Sequence, residues 1–210
     1  MTEQLGTGPP HTAPENHPTG AETEAPRAGQ AELRDVQLVR RVAEGDLRAF
    51  DALYRSYFPR LVRFLDRMTR NAALIEEIIN DTMYVVWDKA GTYNQTSKVS
   101  TWIFSIAYRR ACKSIRKNDL PVEQEFELVN QDAMNEPEGR LSQRQLQHRV
   151  AAALDSIPIE QRTVVNLTYY HGMDYQEIAR TMDCPVNTVK TRMFHARRRL
   201  KELLSKALGS

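Results

Sequence analysis

Between Asp174 and Leu204 a helical apolar period is interrupted once, by a turn, and then resumes. Tyr175, Ile178, Ala179 and Met182 fall on one face of a short helix. Met182-Asp183-Cys184-Pro185 breaks the period, and Val186, Val189, Met193, Ala196 and Leu200 restart it. Two short helices joined by a tight turn make a helix-turn-helix, whose second helix lies in the major groove of DNA. That second helix carries Lys190, Arg192, Arg197, Arg198, Arg199 and Lys201, with no acidic residue from Pro185 to Lys201. Such a face suits phosphate neutralisation, and Asn187, Thr188, Lys190 and Thr191 near its start are placed to reach base edges. An amphipathic helix with a solvated basic face would explain the charges, but not the short helix and turn before them.

Net charge decides little, because 29 basic residues stand against 27 acidic ones; their distribution matters more. With 41% hydrophobic residues the chain can fill packed cores, yet no apolar run is long enough to cross a bilayer. The first residues contain neither a basic leader nor an apolar stretch, so a secretory signal is not expected. Cys112 and Cys184 are far apart in sequence and lack metal-ligand spacing, which leaves small buried side chains in a cytoplasmic protein as the expectation.

Residues 1–30 contain no Ile, Val, Phe, Tyr or Trp and are expected to be disordered. A short helix bearing Leu38, Val39 and Val42 then ends at Gly45-Asp46, a break and a cap. Phe50, Leu53, Tyr54, Tyr57, Leu61, Leu65 and Met68 mark the next helix, which Pro59 should kink or split. From about Ala72 to Lys89, Ile75, Ile78, Ile79, Met83 and Val86 form a buried stripe, while Glu77, Asp81, Tyr84 and Asp88, with Asn80 beside them, form a polar one. That second stripe is either solvated or a docking face for a basic partner. A polar loop over 90–99, containing Tyr93, Asn94 and Lys98, precedes a helix for which Ser100 is the expected N-cap. Its outer face carries Arg109, Arg110, Lys113, Arg116 and Lys117, whereas Trp102 and Phe104 read as core. A basic helix beside an aromatic-containing loop suits single-stranded nucleic acid.

Between Asn118 and Gly139 seven acidic residues occur without one Lys or Arg, which reads as an extended linker. A second helical module follows from Leu141. One helix carries Leu146, Val150, Ala153 and Leu154, and another carries Val164, Val165 and Leu167 before His171-Gly172. His171 and Asp174 are expected to share a hydrogen bond at that turn. No alternating strand pattern appears, so the expected fold is all-α: an extension over 1–30, one module over 31–118, a linker over 119–140 and a second module over 141–210. No phosphate-binding glycine loop, HExxH or GxSxG pattern or histidine cluster appears. An enzyme is not expected, nor a metal or other cofactor.

Four motifs, in order, make the chain resemble a bacterial RNA polymerase sigma factor of the extracytoplasmic-function (ECF) type. They are Glu76-Glu77-Ile78-Ile79-Asn80-Asp81-Thr82-Met83, Ser100-Thr101-Trp102-Ile103-Phe104-Ser105-Ile106-Ala107, Ile157-Pro158 with Gln161-Arg162, and the helix-turn-helix with Tyr175-Gln176-Glu177-Ile178-Ala179 and Val189-Lys190-Thr191-Arg192. The resemblance runs from about Leu38 to Leu204. It implies that the modules are sigma regions 2 and 4. Glu77, Asn80, Asp81, Tyr84 and Asp88 would meet core RNA polymerase, through its β′ subunit, with β as the other contact. Tyr93, Asn94, Lys98, Arg109, Arg110, Lys113 and Arg116 would recognise the minus-ten element and hold its flipped-out bases. Asn187, Thr188, Lys190, Thr191, Arg192, His195, Arg197 and Arg198 would read the minus-thirty-five element. The acidic linker would thread through the polymerase channel, and an anti-sigma factor would hold the chain inactive. His195 stands where relatives often carry Arg, implying a weaker, pH-dependent contact. Asp183 replaces a common Gly in the turn, and Asn187 a small residue. Rival readings are a stand-alone operator-binding regulator, which has no need of the basic Arg109–Lys117 helix, and a purely protein-binding regulator, which would tolerate loss of Lys190 and Arg192.

Overall fold

A computed structural model describes residues 24–117 and 149–208. The elements are α1 (Glu24–Ala43), α2 (Leu47–Asp66), α3 (Ala72–Lys89), a 3-10 turn (Ala90–Thr92), α4 (Val99–Lys117), α5 (described over 149–155), α6 (Ile159–Tyr169), α7 (Tyr175–Met182) and α8 (Val186–Leu208). The fold is all-α, and no strand occurs among the described residues. The acidic linker and the approach to α5 lie outside them.

Local signals set most boundaries. Gly45 takes φ 85°, and the Asp46 carboxylate accepts from the amides of Arg48 and Ala49 to start α2. Asn71 caps α3 by accepting from the Leu74 amide at 3.0 Å. The α3 boundaries match the expected ones, and its apolar stripe is buried as the period requires.

Three local expectations need correction. α1 begins at Glu24, so residues 24–30 of the supposedly disordered stretch extend a helix whose cost of initiation is met further along. Pro59 does not split α2, which is continuous from Leu47 to Asp66. Pro59 and Arg55 both lie on the exposed side, where water can satisfy the carbonyl a proline leaves without its amide partner. Ser100 is not the N-cap of α4, because the helix starts one residue earlier. The Val99 amide instead donates to Glu32 Oε1 of α1 at 2.8 Å. Burial pushes the Glu32 carboxyl above its ordinary value, despite that hydrogen bond.

The first module packs Leu53, Tyr57, Leu61 and Phe64 of α2 against Ile78, Ile79 and Met83 of α3 and Ile103, Phe104 and Ala107 of α4. Tyr57 brings a hydroxyl into this core and satisfies it by donating to Asp35 at 2.6 Å. In the second module Leu167, Ile178, Val189 and Ala196 join α6, α7 and α8.

The sequence leaves the placement of the modules open; the structure packs them together. Apolar residues of both form one cluster, with α7 against α4. The polar seam is specific. Arg70 Nη2 meets Asp155 Oδ2 at 2.6 Å, and Asn166 Nδ2 donates to the Phe64 carbonyl at 3.2 Å. Arg180 Nη1 donates to the Thr96 carbonyl at 3.3 Å.

Candidate nucleic-acid and polymerase interfaces

The helix-turn-helix is built by a capping box and a left-handed residue. Asp174 accepts from the amides of Gln176 and Glu177, both at 2.8 Å, while its own amide donates to Glu177 Oε2 at 3.0 Å. Asp174 is therefore not bonded to His171 as expected, since its carboxylate is taken by α7. Asp183 ends α7 at φ 50°, ψ 55°, the left-handed conformation that lets it stand where Gly is common.

α8 then exposes Asn187, Lys190, Thr191, His195, Arg197 and Arg198 along one basic surface, with Thr188 and Arg192 half-buried. Arg192 Nη1 is turned to Cys184 Sγ at 3.6 Å and braces the turn. Arg197 Nη2 donates to the Tyr169 hydroxyl at 2.9 Å, and that bond raises the Arg197 pKa. Sequence reasoning missed Phe194, a large apolar ring left 62% exposed among these cations. It sits off the Val189, Met193, Ala196 stripe, which was the available signal.

The expected minus-ten residues are less free. Tyr93 donates to the Ser97 carbonyl at 2.6 Å, and its ring stands 5.1 Å from that of Trp102. Its hydroxyl is pushed up to about 12, first by burial and then by Glu32 and Asp35. Asn94 Oδ1 accepts from the amide and hydroxyl of Thr96, bracing a loop in which Gln95 takes φ 60°. Lys98 Nζ lies 2.9 Å from Glu177 Oε1, and Thr101 Oγ1 donates to the same oxygen at 3.4 Å. Arg110 pairs with Asp81 at 3.5 Å, while Arg109, Lys113 and Arg116 face solvent. Phe104 is core as expected, but Trp102 is only half-buried. Cys112 and Cys184 are half-buried rather than buried as expected, and the partial burial of Cys112 pushes its thiol up.

Glu77, Asn80, Asp81, Tyr84 and Asp88 are all exposed along α3. Beside them is an aromatic ridge in which Phe50, Tyr54 and Trp87 are half-buried against the core and Phe58 is exposed. Tyr54 and Phe58 stack at 5.7 Å, Phe50 meets Trp87 edge-on at 5.2 Å, and the Tyr54 hydroxyl donates to Asn80 Oδ1 at 3.0 Å. An acidic rim around aromatic rings is the composition of a protein-binding surface. Among the described residues no group of His, Cys, Asp or Glu is arranged to hold a metal, and no helix is long and apolar enough to cross a membrane.

Comparison with known proteins fits this division into two modules. Residues 53–120 match Sigma-70 region 2, and residues 147–200 match Sigma-70, region 4. Together the two matches take in more than half of the chain. The RNA polymerase sigma-H factor of Pseudomonas aeruginosa is 28% identical over 185 residues, covering 83% of this chain and 94% of that protein. The ECF RNA polymerase sigma-E factor of Haemophilus influenzae is 28% identical over 178 residues, covering 79% and 93%. Among solved structures, CnrH in complex with the cytosolic domain of CnrY superposes with a TM-score of 0.61 at 22% identity, covering 82% of this chain and 98% of that one. The sigma factor RpoE in complex with the anti-sigma factor NepR from Bartonella quintana gives 0.60 at 22% identity, covering 76% and 98%. These two likenesses concern the fold. The chain belongs to the sigma-70 family, and within it to the ECF group.

Proposed function

We propose that this protein binds core RNA polymerase, directs it to a defined set of promoters and helps melt the minus-ten element. The exposed surface of α8, from Asn187 to Arg198, reads the minus-thirty-five element in the major groove. Lys98, Arg109, Lys113 and Arg116, with Tyr93 and Asn94 in the loop before α4, hold the unstacked minus-ten strand, so that binding energy drives melting. Glu77, Asn80, Asp81, Tyr84 and Asp88, anchored by Tyr54 and Phe58, dock on a basic surface of the polymerase. The observation that carries this reading is the coexistence of two basic surfaces on separate modules with an acidic, aromatic one. An operator-binding regulator needs only the first of the three.

Control by an anti-sigma factor is part of the proposal, since one similar solved protein is a sigma factor held by such a partner. In the packed form Glu177 already pairs with Lys98 and accepts from Thr101. Use of both promoter elements therefore requires the modules to part.

Run-off transcription with core polymerase, with and without this chain, tests the reading on a library of ECF-type promoters. A discrete transcript that depends on the chain and is lost in Glu77→Lys/Asp81→Lys is the expected result. Duplex binding without any transcript would instead favour the operator-binding regulator.

A further inference from the structure

The seam between the modules contains one side chain whose chemistry the promoter reading does not use. His171, at the end of α6, reaches back across the seam and sets its imidazole 4.6 Å from the Phe104 ring of α4 and 6.0 Å from the Phe64 ring of α2, both edge-on. Its Nε2 is shut off from solvent and has no hydrogen-bond partner. The charges facing it from α2 are the guanidinium groups of Arg60 and Arg63. Arg60 is itself held over the rings of Tyr57 and Phe104. From α4 it meets an apolar ring, and on its own side of the turn Asp174 is committed to the amides of α7.

This is a poor place for a cation. A second proton on the imidazole would add a positive charge near the guanidinium groups of two arginines, in a slot where Nε2–H has no acceptor. Once the modules part, the ring meets water and the cost disappears.

We infer that His171 is a proton-sensitive latch, which when neutral seats between Phe64 and Phe104 and holds α7 over α4, and when protonated favours the parted form. The latch concerns the conformation of the chain and stands independently of the promoter reading. If that reading also holds, acid would release Lys98 and Thr101 from Glu177.

The sign follows from linkage. Burial, then Arg60 and Arg63, lower the His171 pKa in the packed form to about 4 from 6.5. Packing is therefore strongest above pH 6.5 and weakens as pH falls toward 4. Between pH 7.5 and 5.5 the equilibrium constant for parting should rise about tenfold through this group alone. The seam carboxylates of Asp155 and Glu177 are engaged with Arg70 and Lys98. Glu32, whose own pKa is raised, lies outside the slot, and the His171 variant separates its contribution.

Two measurements on the full chain test this. Histidine-ring NMR, assigned with His171→Gln, should find His171 titrating far below the other histidines. An ordinary midpoint overturns the latch even if the variant folds poorly. Single-molecule energy transfer between dyes at the exposed positions Arg55 and Lys201 should count about tenfold more parted molecules at pH 5.5 than at pH 7.5, with little change in His171→Gln. Equal pH responses in the two chains, or a chain closed at both pH values, overturns it.

Discussion

Lys98 Nζ of the loop before α4 lies 2.9 Å from Glu177 Oε1 in the first helix of the helix-turn-helix, the lysine side chain 57% exposed and the glutamate 8%. The same carboxylate accepts from Thr101 and closes the capping box of α7. Its hydrogen bond, ahead of other effects, raises the Lys98 pKa, so the lysine stays charged throughout the physiological range. A residue expected to touch DNA phosphate is thus occupied by a carboxylate of its own chain. Glu177→Gln keeps an acceptor for the Asp174 amide but removes this charge. With the lysine more than half exposed, the change should weaken closure by about 0.5–1 kcal/mol. Fluorescence anisotropy of a single-stranded minus-ten oligonucleotide should then show about two- to fivefold tighter binding. Unchanged or weaker binding would contradict the competition between Glu177 and DNA.

The basic surface of α8 makes a separate prediction about salt. Arg198 is an exposed charge on that helix, away from the residues placed at base edges. Replacing it with Ala should weaken duplex binding at all sequences and reduce the slope of log affinity against log salt by about 0.9. Phe194→Ala should leave that slope unchanged and lower affinity in a sequence-dependent way, since a ring carries no charge to release counterions. A titration of each variant from low to high KCl separates these outcomes.

On the docking face, rings and charges should act differently. Tyr54→Ala removes both the stack on Phe58 and the hydrogen bond to Asn80. Loss of an aromatic anchor of this kind should cost about 1–3 kcal/mol in polymerase binding, mostly through faster dissociation. Asp88→Asn, at the rim, should mainly slow association at low salt. Surface-plasmon kinetics against core polymerase tests the split. Equal effects of the two changes on the association rate would count against it.

Asp46 links pH to the fold of the first module. Its carboxyl is held below the ordinary value chiefly by the Arg41 side chain at 2.6 Å, then by the amide of Ala49. A lowered carboxylate pKa contributes stability above the ordinary value of 3.8, and that stability is lost as pH falls through the lower folded value. Asp46→Ala should therefore lower Tm at pH 7 and differ much less from the parent chain in strong acid. Calorimetry at both pH values checks this, and a gap that persists in acid would point to helix propensity instead.

Where structure depends on neighbours in sequence, it was legible. The period of Ile75, Ile78, Ile79, Met83 and Val86 places α3 with its boundaries, because one helix turn decides which residues face inward. Asp183 was readable as a left-handed residue for the same local reason. The exposure of Phe58 was not readable, since it lies one residue from Tyr57 on the same apolar helix. The apolar stripe of α2 is wider than the core can cover, and only packing shows which rings are left outside. The cap of α4 was missed because its acceptor belongs to α1. Tyr93, Lys98 and Arg110 are engaged by Ser97, Glu177 and Asp81, and the spacing of the loop and of α4 carries no trace of the two distant partners, Glu177 and Asp81.

The hydrogen bond from Val99 to Glu32 ties the first turn of α4 to a residue 67 positions earlier. Val99 directly follows Lys98 and lies two residues before Thr101, so this tie anchors the rim of the proposed strand-capturing surface. Shortening the chain past residue 32 would remove no residue assigned to DNA, yet it would let that rim fray. α1 is in this sense the foundation of a grip whose fingers are elsewhere, and lesions in it should register as poor melting rather than poor docking.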